Sequence, residues 1–138
     1  MIATAMMGAP TYMSCKVAQD ADGDIYLADL EQSGVAHGLT ERSTDGVTGK
    51  CIVLITPDAE RSLNTHLGIS ETLSTDEVDE AAIKDSEWVY LEGYLATSPT
   101  GHAAALKTKA LAGSHGVKTA VSFSDPGMVK SFRDNMAA

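Results

Sequence analysis

Basic residues are scarce in this chain. Ten Lys and Arg face nineteen Asp and Glu, for a formal charge of -9. Proteins that grip a nucleic-acid backbone concentrate positive charge, so nucleic acid is excluded as the main partner. An anionic small substrate is not excluded, because one arginine in a cleft dominates its local field. Arginine occurs three times, as Arg42, Arg61 and Arg133. Aromatics make up 5% of the chain, which leaves Ala, Val, Leu, Ile and Met to build a core. The two cysteines, Cys15 and Cys51, are isolated and match no zinc or redox spacing. They read as reduced, partly buried thiols. No apolar run reaches the roughly 18 residues of a membrane span. The opening MIATAMMGAP carries no basic residue and so does not read as a secretory signal. The expectation is a cytoplasmic protein with no membrane segment.

A chain of 138 residues suffices for one domain around one core. Met1 to Met7 reads as a helix end closed by Gly8, with no capping residue before it. Thr11 to Val17 alternates as a strand. Asp20 to Gly23 reads as a turn, followed by a helix over 24–33 with Gly34 behind it. Residues 36–49 are polar and glycine-rich, a connection. Lys50 to Thr56 (KCIVLIT) and Arg61 to Leu67 are strands flanking Pro57-Asp58-Ala59-Glu60, whose Pro-Asp suits a tight reversal. This hairpin interrupts an otherwise α/β chain.

Ser74 and Glu77 form a capping box, which predicts a helix over 75–84. Trp88 to Leu91 reads as a short buried strand. Ser98-Pro99 is an N-cap followed by proline at the first helical position, opening a helix that stops at Gly116. Val117 to Phe123 is the next strand, and Asp125-Pro126 opens a last helix. Residues 88–123 thus have the spacing of one βαβ unit, whose parallel strands gather ligands beyond their carboxyl ends. Those ends are Glu92-Gly93-Tyr94 and Ser122 to Asp125. The last helix has no strand after it, and both ends of the chain read as cut from a larger sheet.

Several familiar patterns fail on inspection. Asp20-x-Asp22-x-Asp24 with Glu31 imitates a calcium loop, but Ile25 stands where the sharp turn requires glycine. Acids capping the following helix are the simpler reading. Gly46 to Cys51 glances at a phosphate loop, yet Thr44 replaces its first glycine, Cys51 replaces its Ser/Thr, and a strand follows. His37, His66, His102 and His115 lack ligand spacing, and no Gly-x-Ser-x-Gly elbow is present. Arg61 follows an acidic turn and admits two readings. It either pairs with Asp58 or Glu60 at the surface, or aims its guanidinium at a phosphoryl group. Tyr94, just past a strand end, either packs or stacks on a ligand.

Three stretches in order resemble the PfkB (ribokinase-like) family of sugar and nucleoside kinases, and the adenosine kinase branch most of all. They are Thr48 to Ser70 (TGKCIVLITPDAERSLNTHLGIS), Trp88 to Leu95 (WVYLEGYL) and Ser122 to Pro126 (SFSDP). Lys16 to Gly23 (KVAQDADG) with Gly34-Val35 is similar to that family's Lys-Val, Asp-x-x-Gly and Gly-Val segment. The resemblance runs over essentially the whole chain.

The resemblance implies a partial αβα sandwich of the ribokinase-like class over 1–138, with a small β-hairpin lid over 36–67. It implies an ATP-dependent kinase acting on a hydroxymethyl group of a sugar or nucleoside, with ATP and magnesium as cofactors of the complete enzyme. By the same resemblance Arg61 lies by the transferring phosphate. Leu63 contacts the substrate from the lid with Thr65 on the same strand face, and Tyr94 packs on the base or sugar. The family's Gly-Gly-x-x-Asn, Asn-x-x-Glu and Gly-Ala-Gly-Asp segments do not occur here. The last of these carries the catalytic base, so the chain alone is expected not to catalyse. The alternative is an inactive α/β piece that only self-associates. In either case exposed strand edges and apolar faces lead to the expectation of a homodimer.

Overall fold

A parallel strand–helix–strand crossover follows a short first helix. The computed structural model describes residues 1–39, 41–124 and 126–138. They divide into two compact units, Met1–Glu71 and Thr72–Ala138.

In the first unit, α1 (Ile2–Met6) leads into β1 (Tyr12–Met13), α2 (Ala21–Gln32) and β2 (Ala36–His37). β1 and β2 are parallel, with Tyr12 opposite Ala36 and Met13 opposite His37. The strand expected over 11–17 is therefore only two residues long. α2 begins earlier than its apolar spacing suggests. Asp20 is its N-cap rather than part of a free turn, so 21–23 are already helical. Gly23, Leu27 and Leu30 lie at i, i+4 and i+7 on the inner face, while Ile25 faces solvent. Val17, Ala18, Leu30, Val35, Thr48 and Ile69 make the buried centre of this unit.

From that centre rises a two-stranded antiparallel ribbon, β3 (Lys50–Ile55) and β4 (Arg61–His66). Its register pairs Lys50 with His66 and Ile55 with Arg61. The reversal is the one the Pro-Asp sequence predicts. Ala59 N–H donates to the Thr56 carbonyl at 2.9 Å and Thr56 N–H to the Glu60 carbonyl at 3.0 Å. Ala59 sits in the left-handed region at φ 66, the bulge position that glycine usually fills. At the foot of the ribbon the strands cross closely. Ile69 N–H donates to the Val47 carbonyl at 2.8 Å. Gly68 has φ +53, and a Cβ there would stand 2.2 Å from the Val47 oxygen.

The first unit ends in a short 3-10 turn, Gly68–Thr72, and another, Thr75–Glu77, starts the second. The capping box of Ser74 and Glu77 forms as expected. It opens only a single turn, because Val78 is extended and Asp79 caps a separate helix, α3 (Glu80–Lys84). β5 (Trp88–Glu92), α4 (Pro99–Ser114) and β6 (Lys118–Ser122) make the expected βαβ unit, with β5 and β6 parallel. Ser98 caps α4 by accepting from Gly101 N–H at 3.0 Å. Gly101, Ala104 and Ala112 are buried, so small side chains let this helix lie close to its neighbours. β5 is not the buried strand its composition suggests. Trp88 and Tyr90 are exposed on one face, with the Lys118 ammonium 5.0 Å over the Trp88 ring. α5 (Pro126–Ser131) and α6 (Arg133–Ala137) close the chain. The expected helix start at Asp125 lies outside the described residues.

Candidate functional site

The alternation of β4 puts Arg61, Leu63 and Thr65 on one face. Their cross-strand partners on that face are Ile55, Val53 and Cys51. Every residue of both strands is exposed, so this face is open along its whole length. Cys51 Sγ and Thr65 Oγ1 lie 3.2 Å apart. Cys51 is thus an exposed thiol, not the partly buried one expected from sequence. Cys15 is half-buried, and burial pushes its thiol pKa up despite a hydrogen bond from Tyr26. Burial also pushes Tyr26 up to about 12.

Arg61 forms no ion pair with Asp58 or Glu60 among the described residues. The Asp58 carboxylate accepts instead from the Thr56 hydroxyl, and that bond holds its pKa below the usual range.

Tyr94 belongs to the second unit. It lies in a 3-10 turn, Gly93–Thr97, directly after β5, and is about half exposed. Thr97 Oγ1 donates to its carbonyl at 2.8 Å. Beside it Glu92 gathers the strand ends. Its carboxylate accepts from Gly93 N–H at 3.0 Å, from the Ser124 hydroxyl and from the Tyr90 hydroxyl at 3.4 Å. Sequence reasoning placed Glu92 at a strand end without a role. Only the approach of Ser124, 32 residues on, shows what its carboxylate holds.

The acids of the calcium-like segment all have other partners. Asp24 pairs with Arg42 at 2.7 Å and Asp22 with Lys50, which raises the pKa of Lys50. Asp20 accepts from Gly23 and from Thr48. Its pKa is lowered to about 2, first by the Thr48 hydroxyl and then by the Thr48 and Gly23 N–H groups. Sequence reasoning read these acids as helix-capping. It did not find the bond to Thr48, which spans 28 residues.

Two βαβ crossovers with an exposed ribbon after the first make the α/β ribokinase-like fold of the solved structures this chain is similar to. The model of the "pfkB family carbohydrate kinase" matches residues 1–138, and the chain belongs to that family. It is similar to the ribokinase of Mus musculus, 26% identical over 118 residues, covering 86% of this chain and 36% of that protein. It is also similar to the crystal structure of adenosine kinase from Sinorhizobium meliloti. There the TM-score is 0.92 at 30% identity, covering 98% of this chain and 41% of that one. A putative ribokinase II from E. coli, crystallised with ATP and magnesium, shares the fold at TM-score 0.86 and 21% identity, covering 98% of this chain and 44% of that one. The chain thus spans well under half the length of these relatives.

Among the described residues, no three His, Cys, Asp or Glu side chains converge as a cation site.

Proposed function

We propose that this chain supplies the substrate-closing part of an ATP-dependent kinase that phosphorylates a hydroxymethyl group of a sugar or nucleoside, with the adenosine kinase-like branch preferred. The observation that carries the reading is Arg61. Its guanidinium stands on an open face with Leu63 and Thr65, unclaimed by the acids of the adjoining turn.

Strand rise places Arg61 and Thr65 about 13 Å apart along β4. In this reading 36–67 is the lid. Arg61 offers a planar fork to the oxygens that gain charge during transfer. Leu63 covers the apolar face of the substrate and Thr65 offers a hydroxyl; for Tyr94, in the second unit, a packing role on base or sugar rests on the family resemblance alone. The γ-phosphate comes from ATP. The family's catalytic-base and nucleotide segments do not occur in this sequence, so no step of their chemistry is assigned to its residues.

The test compares two proteins on a panel of sugars and nucleosides with ATP and magnesium. The 138-residue chain alone should transfer nothing above background. A protein joining it in frame to the Gly-Gly-x-x-Asn, Asn-x-x-Glu and Gly-Ala-Gly-Asp segments should phosphorylate at least one member. Robust turnover by the chain alone would overturn the partial-kinase reading, and silence from the joined protein would overturn the kinase reading.

A second reading has its own observation. Ile52, Val53, Leu54, Ile55 and Leu63 are all exposed on one ribbon, and such apolar faces favour association. On this reading two copies pair ribbon to ribbon as a dimer. Sedimentation at rising concentration should show that dimer, and an ordered monomer throughout would count against it.

A further inference from the structure

The Asp20-x-x-Gly23 segment takes no part in the function proposed above, yet it meets the foot of the ribbon. Asp20 Oδ1 caps α2 by accepting from Gly23 N–H at 2.8 Å. The same oxygen accepts from the Thr48 hydroxyl at 2.6 Å, and Oδ2 accepts from Thr48 N–H at 2.8 Å. Thr48 is buried and lies two residues before β3. Its Oγ1 in turn accepts from Ala18 N–H at 3.0 Å. Arg42 closes the ring, donating to the Ala18 carbonyl at 3.2 Å and to Asp24 at 2.7 Å. A Cβ on Gly23 would stand 2.2 Å from the Ala18 oxygen and 3.0 Å from Thr48 Oγ1. Only glycine lets the helix, Ala18 and Thr48 approach this closely.

The geometry points to Asp20 as a positioning residue, whose carboxylate sets the direction in which the ribbon leaves α2 and so where Arg61, Leu63 and Thr65 are presented. Their use on a substrate rests on the function proposed above, whereas the junction does not. Oδ1 caps the helix and also takes the Thr48 hydroxyl, whereas Oδ2 holds the Thr48 N–H alone. Asparagine caps a helix about as well as aspartate, but its amide NH2 would face the Thr48 N–H, donor against donor. Asp20→Asn therefore keeps the cap and the bond to the Thr48 hydroxyl, and turns the bond to the Thr48 N–H into a donor–donor clash that loosens the tie. A residue that merely caps α2 would not notice the change.

The full chain carrying Cys15→Ser and Cys51→Ser receives spin labels through Ser62→Cys on the ribbon and Gln32→Cys at the end of α2, both exposed positions. With Asp20 in place the distance between labels should show one narrow distribution. Asp20→Asn should broaden it while helix content by circular dichroism stays constant. An unchanged distribution would overturn the proposal. Should Asp20→Asn fail to fold, hydrogen exchange on the unsubstituted chain decides. The Thr48 amide should exchange about tenfold or more slower than the free-chain rate, and an unprotected Thr48 amide would overturn the proposal. Neither measurement reads phosphoryl transfer, so failure of the kinase reading leaves both outcomes intact.

Discussion

The ribbon β3–β4 and the crossover β5–α4–β6 use their apolar residues in opposite ways. In the ribbon every residue of both strands is exposed, Ile52 and Ile55 by about two thirds. In the unit of the crossover Ile83, Ala96, Ala104 and Ala112 are all but withdrawn from water. The ribbon therefore gains its order from its own backbone ladder, its turn and the junction at its foot. The crossover gains its order from close packing of small side chains. Isolated two-stranded ribbons are marginal in water, so an element this bare is suited to moving or to being covered. The crossover is packed through its helix, while Trp88, Tyr90 and Val121 of its strands stay exposed and open to being covered.

The sharpest way to break this contrast is to truncate one isoleucine in each region. Ile83→Ala should cost about 2–5 kcal/mol, because it leaves a cavity in a packed site. Ile52→Ala should change monomer stability by less than about 0.5 kcal/mol. Urea melts of both variants decide, and equal losses would mean that the ribbon is packed after all.

The second effect moves function without stability. In a complete kinase carrying this chain, Arg61→Ala should lower kcat on the order of a hundredfold with a smaller change in KM, as expected for a group that acts in the transition state. Arg61→Lys should recover part of the loss. Melting temperature should stay near that of the parent. Parental turnover in Arg61→Ala would leave the ribbon without a catalytic purpose.

Glycines give the third comparison. Gly68→Ala forces a left-handed alanine against the Val47 oxygen and should destabilise by about 1–3 kcal/mol. Gly113 lies in α4, and a Cβ added there would meet nothing within 4 Å. Gly113→Ala should therefore stabilise by about 0.5–1 kcal/mol. Thermal unfolding of the pair reads both signs at once.

The smallest effect is the acid limit of the junction. Asp20 has a folded pKa of about 2, below the ordinary 3.8. Its contribution is thus fully present above about pH 4 and is lost as pH falls through about 2. The Lys50 ammonium also favours its charged form. Melts between about pH 4 and pH 2 should fall less steeply for Asp20→Asn than for the parent. Identical slopes would remove the linkage.

Much of the fold was legible in the sequence because its signals are local. Ser98-Pro99 starts a helix since a hydroxyl and a fixed φ act within one turn. Pro57-Asp58 reverses the chain for the same reason. The boundary at Val78 was not legible. Ser74 with Glu77 announces a helix equally well whether it lasts one turn or three, and Asp79 merely offers a second cap. Of the candidate site, the shared face of Arg61, Leu63 and Thr65 follows from strand period alone, whereas their exposure does not.

What the sequence determined by itself is the order of elements, the hairpin, the βαβ spacing and the resemblance to a kinase family. Each depends on residues a few positions apart, or on motifs read in order. Only the tertiary structure decided that KCIVLIT stands in solvent while the Ala-rich helix α4 is packed. Hydrophobic composition says that burial is favourable, not which neighbour provides it. Only the tertiary structure, too, gave Asp20 its second task. A helix cap is written within three residues, but the hydrogen bond to Thr48 exists because folding brings together groups 28 residues apart.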